Sequence, residues 1–172
     1  SATGNMNDVE INWDAASTGD NYVVKLSGGD WITFQNLKMK ALDSYSYATV
    51  VMIEGGSDNN TFDNCWIKGN SANTTSTYRS TIWMTGSSDN VTISNNRVEG
   101  GRSSIYMQGN TSDPSENLLL EDNMFEDANY YALYLYAIDG LEMHGNTVTN
   151  DSSMYYNNYG FYGVYMYAAN NF

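Results

Sequence analysis

The sequence predicts an all-β solenoid of stacked parallel strands, about six coils within 172 residues, from three observations. A short apolar-x-apolar triplet recurs along the chain, a second triplet alternates with it, and a polar turn rich in asparagine follows the second. Such self-similarity marks units that bury their apolar faces only by stacking on one another.

The first triplet recurs as Val24-Lys25-Leu26, Val51-Met52-Ile53, Ile82-Trp83-Met84, Ile105-Tyr106-Met107, Leu133-Tyr134-Leu135 and Val164-Tyr165-Met166, with starts 27, 31, 23, 28 and 31 residues apart. Loops of varying length inside each coil account for the spread. Two positions after each triplet the residue is small, at Gly28, Gly55, Gly86, Gly109, Ala137 and Ala168, as a tight bend out of a strand requires. The second triplet reads Ile32-Thr33-Phe34, Val91-Thr92-Ile93, Leu118-Leu119-Leu120 and Leu141-Glu142-Met143. In the remaining coil Phe62 keeps the last place while polar Asn60 takes the first, a degenerate copy.

Five residues beyond the second triplet comes another apolar position, at Met39, Ile67, Val98, Phe125 and Val148. Between the two lie Asn36, Asn64, Asn95, Asn96, Asp122, Asn123 and Asn146. A polar turn at one height in every coil lets identical amides stack about 4.8 Å apart. Asn64, Asn96, Asn123 and Asn146 are the expected rungs.

Period-2 triplets with β-branched and aromatic residues argue for strands, and two or three per coil argue for a prism of parallel sheets. A leucine-rich repeat would need one strand and one helical arc per unit; here two strand triplets occupy each coil and no stretch sustains a 3.6 period. One domain, 1–172, is expected. Residues 1–23 form its partial or irregular first coil, with Val9-Glu10-Ile11 as a strand. Solenoids need polar caps, and none is visible around Asn170-Asn171-Phe172, so the chain is expected to be a segment of a longer solenoid.

Segments such as Gly56-Ser57-Asp58-Asn59-Asn60-Thr61-Phe62-Asp63-Asn64-Cys65 and Gly140-Leu141-Glu142-Met143-His144-Gly145-Asn146-Thr147-Val148 resemble the coil consensus of the right-handed parallel β-helix repeat family, the pectate-lyase-like superfold. The Ser-, Asn- and Tyr-rich style is similar to large secreted surface proteins of Bacteroidota-type bacteria. The resemblance implies a bacterial protein that is extracellular or on the cell surface. It is specific for fold and leaves function open, because this superfold carries lyases, hydrolases, adhesins and tailspikes alike.

Composition narrows the field. The formal net charge is −13, and nine carboxylates follow Arg102, the last basic residue. Nucleic acid is an unsuitable partner, since no basic groups remain there to neutralise phosphates, and anionic membranes are disfavoured for the same reason. Cys65 stands alone, so neither a disulfide framework nor a thiolate metal site is available. No run of about 18 apolar residues exists, so no membrane-spanning helix is expected.

Relatives that hydrolyse pectin carry clustered aspartates, a Gly-His-Gly and an Arg-x-Lys; this chain offers Met143-His144-Gly145-Asn146. Pectate-lyase relatives need calcium-binding carboxylates beside a catalytic Arg or Lys on an outward strand face, and Arg79, Arg97 and Arg102 fall outside both triplet rows. His144, the sole histidine, reads as a surface or turn residue. Glu54 and Glu142, the outward acids of the triplets, do not share a sheet, whereas glycoside hydrolysis needs two carboxylates about 5–9.5 Å apart. Glu121, Asp122, Glu126 and Asp127 gather near one turn; they are a solvated acidic patch or, as the weaker metal reading, the place where calcium would bind. The loop Thr111-Ser112-Asp113-Pro114-Ser115-Glu116-Asn117 lengthens its coil by about four residues, as a tolerated surface excursion does. No cofactor is expected apart from that calcium.

The most pointed feature is on the outside of the first sheet. Side chains alternate in a strand, so the middle residues Lys25, Met52, Trp83, Tyr106, Tyr134 and Tyr165 face outward. Two residues on, the same face carries Tyr136 and Tyr167. These aromatics suit sugar rings or a partner protein, or else stabilise adjacent strands at about 0.5–1.5 kcal/mol per favourable pair. Tyr155-Tyr156-Asn157-Asn158-Tyr159 could cover part of the patch. The reading is a non-catalytic structural or binding segment of a large exported surface protein, working by adhesion or assembly. It would meet other coils or domains of its parent protein, and a glycan or protein on its aromatic face. A polysaccharide lyase or glycoside hydrolase with part of its site elsewhere, and a phage tailspike-like module, are the alternatives.

Overall fold

A computed structural model describes residues 2–42, 47–70, 76–151 and 160–171. The tyrosine-rich loop 155–159 therefore lies outside the described residues. Among the described residues sixteen strands stack in parallel as three rows.

The first row is built by the first triplets: β2 (Val24–Ser27), β5 (Val51–Glu54), β8 (Ile82–Thr85), β11 (Ser103–Gln108), the first half of β14 (Tyr131–His144) and β16 (Tyr162–Asn170). The second contains β3 (Thr33–Gln35), β6 (Thr61–Asp63), β9 (Thr92–Ser94), β12 (Ser115–Glu121) and the second half of β14. The third contains β1 (Glu10–Trp13), β4 (Lys38–Ala41), β7 (Trp66–Lys68), β10 (Arg97–Glu99), β13 (Met124–Glu126) and β15 (Thr147–Thr149). Five complete turns result, with β1 before them and β16 opening a sixth, so the expected six coils are five whole ones and two part-turns. Glu10 rather than Val9 begins the first strand, with Ile11 opposite Met39.

Alternation sends Ile53, Ile82, Ile105, Leu133 and Leu135 from the first row inward, Phe62, Ile93 and Leu120 from the second, and Met39, Ile67, Val98 and Phe125 from the third, all fully buried. Each such side chain contributes about 1.5–3 kcal/mol by leaving water. Asn60 is buried at the start of the second row without penalty. Its Oδ1 accepts from the Ile32 N–H at 2.9 Å and its Nδ2 donates to the Gly29 carbonyl at 2.8 Å. The apparent degeneracy is a satisfied buried amide.

Two residues with expected roles act differently from the sequence reading. Gly109 does not take the left-handed conformation of Gly28, Gly55 and Gly86; a Cβ there would come 2.5 Å from the Ala137 carbonyl oxygen, so close approach is what requires glycine. Asn64 is not a rung of the Asn96 ladder. Asn36, Asn64, Asn95 and Asp122 share a left-handed backbone at the preceding position, where the Asn64 Nδ2 donates to Asn36 Oδ1 at 2.7 Å.

The buried ladder runs one residue later. Asn96 Nδ2 donates to Asn123 Oδ1 at 3.1 Å, and Asn123 Nδ2 to Asn146 Oδ1 at 3.0 Å. Each amide also donates to a carbonyl of the turn below, Asn96 to Phe62, Asn123 to Ile93 and Asn146 to Leu120. In turn two Cys65 occupies the rung. Its N–H donates to Asn96 Oδ1 at 2.8 Å and its thiol lies 3.4 Å from the Phe34 carbonyl oxygen, while the Leu37 N–H donates to the sulfur. The thiol thus meets the same kinds of partner as an amide, and burial pushes its pKa up.

A further column escaped the sequence reading. Asp30, Asp58 and Asp89 stack at the bend between the first and second rows, each accepting from the backbone N–H of the next member at 2.8 Å, with Glu116 following. Beside it, Asn117 Nδ2 donates to Asn90 Oδ1 at 3.0 Å and Asn90 Nδ2 to Asn59 Oδ1 at 3.1 Å.

Candidate functional site: the aromatic side of the first sheet

Strand register puts the expected column in one line: Lys25 beside Met52, Met52 beside Trp83, then Tyr106, Tyr134 and Tyr165. Tyr106 and Tyr134 stack at 4.6 Å with 15° between planes, and Tyr134 and Tyr165 at 5.2 Å with 8°. Tyr136 and Tyr167 form a parallel pair at 5.5 Å and 9°.

Those separations are close to the spacing of adjacent strands, about 4.7–4.9 Å. The ring normals therefore run along the solenoid axis. Tyr134 is covered on both faces, by Tyr106 and Tyr165, and turns its edge outward. The expectation that the whole column faces solvent is corrected for Tyr106, which is 9% exposed, whereas Tyr165 and Tyr167 are 40% and 60% exposed.

Arg102 closes this stack from the side. Its guanidinium carbon lies 5.2 Å from the Tyr106 ring centroid, 5.4 Å from Tyr130 and 5.2 Å from Tyr131, and burial pulls its pKa down. Tyr131 stacks on Tyr162 at 5.3 Å. Burial raises the pKa of Tyr131 and Tyr134, reinforced at Tyr131 by its hydrogen bond with Tyr130, so both hydroxyls remain protonated at neutral pH. Arg102, Tyr130, Tyr131 and Tyr162 were not expected at this site; their one sequence signal is the aromatic pair just ahead of a first triplet.

At the other end the column changes character. Trp83 meets Tyr78 edge-on at 5.1 Å and 76°, and Tyr47 meets Tyr78 edge-on at 5.4 Å. Between Trp83 and a short 3-10 turn, Thr18–Asp20, lies a cleft of about 180 Å³ lined by Tyr22, Lys25, Met52, Tyr78 and Trp83. The turn is held by Ser17, whose hydroxyl accepts from the Gly19 N–H at 3.2 Å and donates to Asp20 at 2.8 Å. That bond keeps the Asp20 carboxyl below the usual range. Asn21 is fixed behind the wall, donating to the Tyr78 carbonyl at 2.9 Å and accepting from the Thr49 N–H at 3.1 Å. Lys25 pairs with Glu54 at 2.7 Å, which raises the lysine pKa.

Outward acids are more numerous than the triplets suggested, because the third row adds Glu10, Glu99 and Glu126. Glu10 pairs with Lys38. Glu99 accepts from Lys68 at 2.5 Å and from the Trp66 indole at 3.0 Å, and pairs with Arg97 at 3.2 Å. Arg97 reaches Glu126 at 2.5 Å and lies 4.6 Å from the Trp66 ring centroid. Burial works against the Glu99 carboxylate, but its cations outweigh that and lower its pKa.

The four calcium candidates are not gathered into a cage. Glu126 is paired with Arg97, Asp127 accepts from the Asp151 N–H at 3.1 Å, and Glu121 ends β12 next to Asp122. Among the described residues no three acids, histidines or cysteines converge as a metal-holding group. His144 is well exposed, 3.4 Å from Glu142. A second hollow of about 250 Å³ outside the second sheet, between Asn90, Asn117 and Glu142, carries no aromatic wall.

Parallel strands in three rows around a continuous core agree with comparison by sequence, in which the right-handed β-helix region family matches residues 2–172. The chain belongs to the right-handed β-helix family. Neither the curated proteins nor the solved structures gave a match. No helix among the described residues of this β-helix is long and apolar enough to cross a membrane.

Proposed function

We propose that this β-helix is a non-catalytic binding segment of a large exported bacterial surface protein, and that it adheres to glycan-bearing surfaces through the aromatic side of its first sheet. The observation that carries the reading is the tyrosine column, whose stacking, with Arg102 against its flank, gives a rigid face with outward edges and protonated hydroxyls. Such a face loses little side-chain freedom on binding, which favours affinity. Further support comes from the third-row charges: Lys68, Arg97, Glu99 and Glu126 hold one another in ion pairs.

The test is to incubate the chain with polygalacturonate, alginate and neutral glucans while measuring both retention and product release. Retention without new reducing or unsaturated ends, lowered by the pair Tyr165→Ala and Tyr167→Ala or by Tyr22→Ala, is the expected result. Release of such ends would replace the reading with a polysaccharide lyase or hydrolase. A stable trimer by light scattering would favour a tailspike-like module.

A further inference from the structure

Among the described residues the aromatic side contains a concavity that is not where the tyrosines are densest. We infer that the cleft between Tyr22, Lys25, Met52, Tyr78 and Trp83 is a subsite for one neutral pyranose ring at the end of a glycan chain. This rests on the adhesion reading and names the ligand of that face.

Ring geometry gives the first reason. A sugar packs its C–H face on an aromatic face, and Tyr134 has both faces covered by the parallel rings of Tyr106 and Tyr165. Tyr78 and Trp83 are perpendicular at 76°, so neither covers the other as a parallel neighbour would. Tyr78 is also 41% exposed. Polar groups supply the second reason. Lys25 lines the cleft and pairs with Glu54 at 2.7 Å, a donor beside an acceptor at the spacing that two vicinal hydroxyls match. The Glu54 carboxylate also accepts from Ser27 at 3.2 Å, which fixes its direction.

Size and charge narrow the class. At about 180 Å³ the cleft is smaller than the roughly 300–1,000 Å³ typical of drug-sized ligand sites, so it admits one ring and not a chain running through. Lys25, the cation in its described lining, is already paired with Glu54 within a protein of net charge −13, which disfavours a uronate or sulfated sugar.

The 3-10 turn makes the wall preformed. Its N-terminal hydrogen bonds are closed by Ser17 and Asp20, and the Trp13 indole donates to the Asp20 carbonyl at 3.1 Å. Closure of a loop is therefore not required for binding.

The experiment is titration of the whole chain with cellotetraose, maltotetraose, mannotetraose and tetragalacturonate, followed by tryptophan fluorescence and calorimetry. At least one neutral tetrasaccharide is expected to bind and shift the emission, and Tyr22→Ala and Glu54→Gln each to weaken it about tenfold or more with the thermal midpoint unchanged. Tyr165→Ala should leave this affinity within about twofold. Should Tyr22→Ala bind normally while Tyr165→Ala does not, the subsite is overturned and the adhesion face survives. Preference for tetragalacturonate overturns the ligand class, and binding of none of the four overturns the subsite. Cleavage of a bound sugar would instead overturn the non-catalytic reading.

Discussion

In turns three to five the amide ladder is unbroken and the outer column of the first sheet is aromatic, whereas in turns one and two those two positions are interrupted. The amide ladder is Asn96, Asn123 and Asn146 in the later turns, with Cys65 and Leu37 in its line before them. The outer column is Tyr106 and Tyr134 late, but Lys25 and Met52 early. Repetition closes the surface, because each ring or amide satisfies the next. Interruption opens it, because Lys25 and Met52 leave room beside Trp83, and that room is the cleft. Stacking contacts are concentrated where the repeat is strict, and the proposed subsite lies where it lapses.

The ladder gives the largest test of this contrast. Asn123→Ala removes the partners of the Ile93 carbonyl, the Asn96 amide and Asn146 at once. With about 1–3 kcal/mol for each buried group left unpaired, urea unfolding should show a loss of ~3 kcal/mol or more. A loss under ~1 kcal/mol would mean that the ladder is not what stabilises the later turns.

Next comes Tyr134→Ala, which takes out two stacking contacts and an edge contact with Tyr131. At about 0.5–1.5 kcal/mol per pair, the two stacks alone put the expected loss at about 1–3 kcal/mol. Trp83 emission should not move. If Tyr167→Ala, at the exposed end, costs as much, the inner stack has no special standing.

Cys65→Asn sharpens the contrast from the other side by extending the ladder one rung. The partners are in place, since Phe34 offers a carbonyl, Leu37 an N–H and Asn96 an amide oxygen. Stability should stay within about 1 kcal/mol of the parent, on the stabilising side, unlike most buried polar substitutions. Differential scanning calorimetry decides it; a marked drop in midpoint would show that turn two is too tight for an amide.

Acid gives the smallest effect. The Glu99 carboxyl is held low by Lys68 and Arg97 against burial, and Asp63 by Asn95, Gln35 and Ser94 against burial. Carboxyls with depressed pKa contribute stability that is present above their unfolded values and lost as pH falls through the folded ones. The thermal midpoint should be flat from neutrality to about pH 5 and fall below about pH 4, where free carboxylates titrate. Glu99→Gln should lower the midpoint at neutral pH and flatten the acid limb.

The first triplets, the second triplets and the register of Trp83 with Tyr106, Tyr134 and Tyr165 were legible because strand alternation is local: a residue's face follows from its parity within the strand. Asn64 was placed one column out because adjacent asparagines look alike in sequence, and only the left-handed backbone at Asn64 against the inward turn at Asn96 separates them. Asp30, Asp58 and Asp89 went unnoticed for a related reason. Their spacing of 28 and 31 residues becomes a repeat only once the coils are set in register.

Sequence alone determined that the chain winds as a parallel β-solenoid, which side chains fill it and which aromatics share a line, since these follow from periodicities of two residues and of one coil. Tertiary structure decided how those aromatics meet. Tyr106, Tyr134 and Tyr165, one strand spacing apart, stack face to face, whereas Trp83, with Tyr78 brought against it from outside the strand, is left beside a cleft. That distinction depends on contacts between residues from different turns, and no local pattern encodes it.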